Sequence, residues 1–274
     1  MSVKKEASGR RSIQVEAEVP GTPEEVWEAI ATGPGISAWF VPAEVEEREG
    51  KPAKVKLNFG PGMESESPVT DWDPPRKFAK QDKGWFPGSP PIATEWNVEA
   101  RSGGVCLVRV VQSLFASTDE WDDQLIGFEA GWPWAFRILG LYLTHFRGQR
   151  ARFLQFMAPA ADSQREVWAK MTQILGLAGT AEGRYWTAPE GVPALGGVVE
   201  DLVLEPAGAL VRLDQPGPGI ASLFTMEFGG PVLAAFNFYL YGDRADETAD
   251  RATPLWNAWI RERFPAPTAY GRDA

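Results

Sequence analysis

The chain has 274 residues, 44% of them apolar, with 12 Trp and 15 Phe, which is material for one large domain or two of ordinary size. Its 37 acidic residues outnumber 27 basic ones, giving a net charge of −10, and beyond Lys4, Lys5, Arg10 and Arg11 no basic cluster exists to meet a phosphate backbone, which excludes a nucleic-acid partner. The lone Cys106 excludes an internal disulfide and fits a reducing compartment; residues 1–11 are polar, unlike a secretory signal, and the expected address is the cytoplasm.

Residues 1–11 read as a disordered start. Ile13, Val15, Ala17 and Val19 then alternate with polar residues, as a half-buried strand does. Thr22-Pro23-Glu24-Glu25 supplies an N-cap threonine, a first-turn proline and a capping-box glutamate, so a helix follows that carries Val26, Trp27 and Ile30 inward. Gly33-Pro34-Gly35 reads as its breaker, and Ile36 to Phe40 as an apolar connector. Six strand candidates come next: 43–47, 54–59, 67–72, 77–81, 93–100 and 105–115.

The segment GFEAGWPWAFRILGLYLTHFRG, residues 127–148, is the most apolar helix candidate. Pro133 fits a first helical turn, where its missing N–H costs nothing, and Gly148 fits a stop. Trp132, Phe136, Leu139, Leu143 and Phe146 recur at three- and four-residue steps; Trp134, Ile138, Leu141 and Tyr142 form a second stripe. A helix apolar on two sides needs cover from more than one direction. Its Arg, Thr and His residues and its length exclude a membrane span. A strand, a helix, many antiparallel strands and a long helix form an α+β unit whose sheet buries its apolar face by curling around the last helix.

The second half repeats this plan. Residues 151–158 read as a strand, and Ser163-Gln164-Arg165-Glu166-Val167-Trp168 matches Thr22-Pro23-Glu24-Glu25-Val26-Trp27 as S/T-x-x-E-V-W. Strand candidates at 198–204, 209–214, 220–228 and 232–241 lead to a closing helix over 248–264, with Leu255, Trp256, Trp259 and Ile260 on its apolar side. The expected organisation is a tandem duplication: one domain over 12–149, a second, reduced one over 150–264, and a tail over 265–274.

The stretches T-P-E-E-V-W-E-A-I (22–30), I-x-x-W-F (36–40), G-G-V-C-L-V-R-V-V-Q-S-L-F (103–115) and G-W-P-W-A-F-R-I-L-G-L-Y-L (131–143) resemble the START-like superfamily known as SRPBCC, in its branch related to activators of the 90-kDa heat-shock protein ATPase. The second half matches only through S-x-x-E-V-W and its closing helix. The resemblance implies a helix-grip fold, in which a curved antiparallel sheet wraps a long C-terminal helix and leaves an apolar cavity. Its members include lipid carriers, cyclases, hydrolases and chaperone activators, so fold does not decide function. Where the family's last strand often ends His-Ser-Gly-Phe-like, this chain has Gln112-Ser113-Leu114-Phe115.

Catalytic parts are scarce in the pattern. His145 is the single histidine, which leaves metal clusters and Ser-His triads incomplete, so neither metal nor cofactor is expected. Cys106 reads as a small buried hydrophobe, and Asp119-Glu120-Trp121-Asp122-Asp123 as a solvated approach to a helix N-terminus. Glu95, Glu99 and Arg109 fall on strand faces opposite Trp96, Val98, Val108 and Val110. Aromatics are plentiful: each one buried withdraws about 150–250 Å² from water, roughly 4–6 kcal/mol before entropy. Trp39, Phe40, Trp72, Trp96 and Phe115 are expected to line a cavity with Gln112 as its polar group, and Trp85 and Phe86 either to close its mouth or to pack on the second domain. The resulting expectation is binding of a small apolar or aromatic molecule without turnover. The alternatives are a cyclase- or hydrolase-like enzyme in the same cavity and a chaperone-activator-like protein with a protein partner.

Overall fold

The computed structural model describes residues 3–60, 62–84, 88–116, 118–204, 207–227 and 231–265. The chain divides into two compact units, Met1–Arg150 and Ala151–Ala274. Each is a helix-grip unit built on one antiparallel sheet.

In the first unit β1 (Lys4–Lys5) and β2 (Arg10–Pro20) precede α1 (Pro23–Ala31) and the one-turn α2 (Gly33–Ser37). Then come β3 (Ala43–Arg48), β4 (Lys51–Asn58), β5 (Glu64–Asp73), β6 (Lys77–Asp82), β7 (Ile92–Arg101), β8 (Val105–Phe115) and α3 (Asp122–His145). The sheet runs β1-β2-β8-β7-β6-β5-β4-β3, so the first long strand lies beside the last. Strands β2 and β8 pair without interruption from Arg10↔Phe115 to Pro20↔Val105. Their alternation decides the faces: Val108, Val110 and Leu114 are buried beneath α3, while Gln14, Glu16 and Glu18 meet solvent.

Helix α1 begins as its residues dictate: Thr22 accepts from the Glu25 amide, and the Glu25 carboxylate accepts from the Thr22 N–H. Helix α1 ends just before the glycine-proline-glycine run, as expected, and the run itself opens a separate helix, α2, capped by Thr32 Oγ1, which accepts from Gly35 N. A Cβ at Gly35 would come within 1.9 Å of the Glu28 carbonyl oxygen, so the glycine is there for close approach between helices.

Two expectations need correcting. The N-terminal residues are ordered from Lys4, because Lys5 and Arg11 are held by Asp119 and Asp122 at 2.7–2.9 Å. The polar run that reads as a free start is half of an ion-pair cluster whose other half lies more than 100 residues away. The same cluster moves the start of α3. The helix begins at Asp122, so Pro133 lies inside it rather than in its first turn, and the Asp122 carboxylate of the first turn is met by Lys5 and Arg11.

The second unit holds β9 (Arg152–Ala160), α4 (Gln164–Leu175), β10 (Tyr185–Thr187), β11 (Gly196–Leu204), β12 (Ala207–Gln215), β13 (Gly219–Glu227), β14 (Val232–Leu240) and α5 (Ala245–Arg263). Its sheet is β10-β11-β12-β13-β14-β9, again with the first long strand paired to the last. Helix α4 repeats the capping box with Ser163 and Glu166 and ends on Gly176 at φ 69°, a left-handed cap that favours glycine. Trp256 of α5 is buried against Phe156, Phe236, Phe238 and Trp259, with ring centroids 5.0–6.2 Å apart. The short β10 has no counterpart among the sequence-predicted strands; three residues are too few for alternation to show. All but Pro265 of the tail lies outside the described residues.

Candidate functional site

The helix-facing side of the first sheet is built in rows, because inward residues on adjacent antiparallel strands stand opposite one another. One row is aromatic. Phe78 of β6 pairs with Trp96 of β7, and Trp96 with Val110 of β8. Trp96 meets Trp132 edge-on at 5.1 Å and Phe136 at 6.1 Å, both from α3. Trp39 adds an edge contact to Trp96 at 6.3 Å, and Phe40 stacks on Trp132 at 5.9 Å and meets Phe59 at 5.7 Å.

The next row is polar. Lys80 pairs with Thr94, and Thr94 with Gln112. All three are buried. Gln112 Oε1 accepts from Trp132 Nε1 at 2.8 Å, and its Nε2 donates to Thr94 Oγ1 at 3.3 Å. Lys80 Nζ donates to Asp82 Oδ2 at 2.7 Å and to Ser67 Oγ at 3.1 Å. Ser65 Oγ donates to Asp82 Oδ1 at 2.5 Å, and Ser67 Oγ donates to the same oxygen. Burial alone drives the Asp82 carboxyl up; the charge of Lys80 and the hydrogen bonds from Lys80, Ser65 and Ser67 outweigh it and hold the group below the usual carboxylate range.

Of the expected site residues, Trp39, Phe40, Trp96 and Gln112 come together around Trp132. Trp39 is almost fully buried, and its Nε1 donates to the Ala29 carbonyl at 2.9 Å, which fixes it as part of the frame. Trp72 joins a neighbouring group, edge-on to Trp27 at 4.9 Å and to Phe78 at 5.4 Å. Trp85 and Phe86 lie outside the described residues. Phe115 is 64% exposed and does not line the interior. It is three residues from Gln112, and an odd step along a strand reverses the face. The same parity points to what the sequence reading passed over: Lys80 and Asp82 stand two and four residues beyond the inward Phe78 on one strand, so they face inward too.

Other candidates resolve as frame or surface. Cys106 donates to the Gly21 carbonyl at 3.3 Å, and burial pushes its thiol up, the opposite of a reactive cysteine. Glu95 is held by Lys77 and Asn97, and Arg109 by Glu16, on the outer face. His145 is exposed at the end of α3. No group of three metal-ligating side chains exists among the described residues, and no described helix is long and apolar enough to cross a membrane.

Among the described residues, the space between sheet and α3 is occupied by the rings of Trp39, Trp96, Trp132 and Phe136. Two open concavities lie elsewhere. One of about 290 Å³ adjoins Pro218, Tyr241 and Thr248; one of about 350 Å³ adjoins Asp73, Arg76 and Asn97 on the outer side of the first sheet.

Residues 20–144 match the family model of the activator of Hsp90 ATPase homolog 1-like proteins. The match covers most of the first unit. The matched segment runs from the end of β2 into the last turn of α3, and so includes every residue of the two rows on β6, β7, β8 and α3. Comparison with curated proteins finds no match. Similar solved structures include CalU16 from Micromonospora echinospora, 20% identical over 53% of this chain and 83% of its own, at a TM-score of 0.41. DynU16, titled a putative protein in the dynemicin biosynthetic locus, is 18% identical over 92% of this chain and 97% of its own, at 0.41. The di-domain ARO/CYC BexL from the BE-7585A biosynthetic pathway is 14% identical over 94% and 99%, at 0.44. Scores at this level carry no argument about what this chain binds.

Proposed function

We propose that the first unit binds a small apolar or aromatic molecule between its sheet and α3, without turning it over. The observation that carries this reading is Trp132: α3 brings an indole into the sheet's concave face, anchors it on Gln112 and surrounds it with Phe40, Trp96 and Phe136. Aromatic edges and faces at such spacings suit a planar guest, and a few placed polar groups orient it. Phe40 and Phe59 are only half-buried, so they are the rings whose rotation admits a guest.

The enzyme alternative has one observation in its favour, the inward Lys80–Asp82 pair. The pair is poorly suited to proton transfer. A general base works best with a pKa near the operating pH, whereas Asp82 is held below the ordinary range and both its oxygens already accept hydrogen bonds. A fixed ion pair of this kind positions; it does not shuttle.

The test is native mass spectrometry of gently purified full-length protein, together with a tryptophan-fluorescence screen of fatty acids, sterols and polycyclic aromatics. A co-purified small molecule, and an emission change that Trp96→Ala weakens about tenfold or more through lost contact area, are the expected outcomes. Emission unaltered by every class, with no co-purified mass, overturns the reading.

A further inference from the structure

Helix α3 is built in two unequal parts. From Trp132 onward it buries side chains in every turn, whereas between Asp122 and Gly131, all described, Leu125 is the one buried residue. Ile126 in this first part is 47% exposed. A helical segment with so little apolar cover gains little from tertiary packing and depends on its own propensity. That propensity is poor. Gly127 and Gly131 each weaken a helix interior relative to alanine. Close packing requires neither glycine, since a Cβ at each would meet nothing within 4 Å. Pro133, exposed and inside the helix, has no N–H to give the Glu129 carbonyl, so the hydrogen-bond ladder is interrupted where the two parts join. The Gln124 amide nitrogen and oxygen are both buried without a hydrogen-bond partner, which penalises the packed position further.

What holds the first part down is charge. Strands β1 and β2 form an N-terminal hairpin in which Lys5 stands opposite Arg11. Arg11 meets Asp119 and Asp122 at 2.7 Å, and Lys5 meets the same two carboxylates at 2.9 and 2.8 Å. All four carboxylate oxygens are engaged, two by each cation. The hairpin thus grips the start of α3 and the turn Asp119–Trp121 before it. At the other end of this part, Trp132 lies between Gly131 and Pro133, directly at the joint. Its ring sits among the aromatics that fill the space between sheet and helix, and Phe40 stacks on it. A guest enters such an interior only where a ring leaves, and Trp132 is the ring that the joint carries.

Resting on the ligand-binding reading above, we propose that residues 122–131 are a lid that swings on Gly131–Pro133, that Lys5 and Arg11 latch it shut, and that its opening withdraws Trp132 to admit the guest. Withdrawing Trp132 also frees Phe40 to turn aside, since the two rings are stacked. The second part of α3, packed in every turn, stays in place as the wall on which the lid moves.

The test is hydrogen–deuterium exchange of the full chain, read by mass spectrometry over residues 126–131, past the unbonded amides of the first turn, with 134–145 as the reference. Residues 126–131 are expected to exchange about tenfold faster. Two variants move the lid in opposite directions. Lys5→Gln/Arg11→Met/Asp119→Asn/Asp122→Asn removes the latch without stranding a charge, and is expected to speed exchange over 126–131 about tenfold more while 134–145 is unchanged. Gly127→Ala/Gly131→Ala/Pro133→Ala restores the ladder and is expected to slow it about tenfold, each glycine contributing about fourfold. A general loss of stability would move both segments, so the reference separates it from lid opening. Stopped-flow tryptophan quenching by naphthalene, an uncharged probe that the latch cannot attract, reads the gate: association is expected to quicken in the first variant and slow in the second. Exchange over 126–131 as slow as over 134–145, or unmoved by both variants, overturns the lid. If the latch variant fails to fold, the alanine variant decides alone. Exchange that responds while naphthalene association does not overturns the gate and leaves the ligand-binding reading standing. Exchange that responds with no naphthalene binding in any variant removes the gate and counts against that reading, leaving the lid as a conformational unit.

Discussion

The two units share one plan and differ in what they bury. Each opens with a strand, caps a helix with S/T-x-x-E, and closes with a long helix against a sheet in which the first long strand pairs with the last. Yet the buried charged side chains among the described residues, Arg11, Lys80 and Asp82, all belong to the first unit. Its sheet presents a polar row to the helix and a charged face to solvent. In the second unit β14 reads Val-Leu-Ala-Ala-Phe-Asn-Phe-Tyr-Leu and is buried on both faces: Ala234, Phe236 and Phe238 toward α5, Ala235, Asn237 and Tyr239 on the other side. A strand covered on two sides loses alternation and becomes a continuous apolar run. Burial also raises the Tyr239 hydroxyl pKa, which keeps it neutral. The contrast teaches that the fold does not dictate what it buries: the same grip holds a buried polar row in one copy and a nearly uniform apolar core in the other.

The sharpest way to break this comparison is to remove the first unit's buried charge. Lys80→Met leaves Asp82 uncompensated in the interior and should cost about 3–5 kcal/mol, whereas Lys80→Met/Asp82→Asn should cost clearly less. Urea denaturation of both variants measures the difference; equal costs would mean that the pair is not coupled. The same pair predicts acid sensitivity. Because the folded Asp82 carboxyl titrates below its unfolded value of about 3.9, the stability it contributes is present above that value and is lost as pH falls through the folded one. Denaturation midpoints measured between pH 6 and pH 3 should therefore fall more steeply in the wild type than in the double variant.

A smaller effect compares two tryptophans. Trp132 donates to Gln112, whereas the Trp256 indole N–H is buried without a partner. Both lose the same volume on change to Phe, so Trp132→Phe should cost about 1–3 kcal/mol more, the penalty of leaving Gln112 Oε1 unmatched. For the same reason Gln112→Leu is not a neutral change, since it orphans the Trp132 donor. Thermal unfolding of the two Trp→Phe variants tests this, and equal losses would remove Gln112 from its anchoring role.

The smallest predicted effect sharpens the likeness instead. Thr22→Ala and Ser163→Ala each delete one capping box and should each cost about 1 kcal/mol. A large loss at one site and none at the other would show that the two copies no longer use their capped helices alike.

The sequence by itself determined the local elements, because their causes are local. Capping boxes at Thr22 and Ser163 need four residues, and the stripe of Trp132, Phe136, Leu139 and Leu143 needs only helical spacing. Strand alternation placed Val108, Val110 and Gln112 on one face; followed strictly, it also turns Phe115 outward and Lys80 and Asp82 inward. The tertiary structure alone decided which rows meet. Lys80, Thr94 and Gln112 come from three strands whose relative register is set by turns and pairing, not by spacing along the chain. The start of α3 and the order of the N-terminus were likewise hidden, since Arg11 and Asp122 stabilise each other only once β2 and α3 are both in place. A charge read alone looks like solvated surface, and only its folded neighbours make it part of an interior.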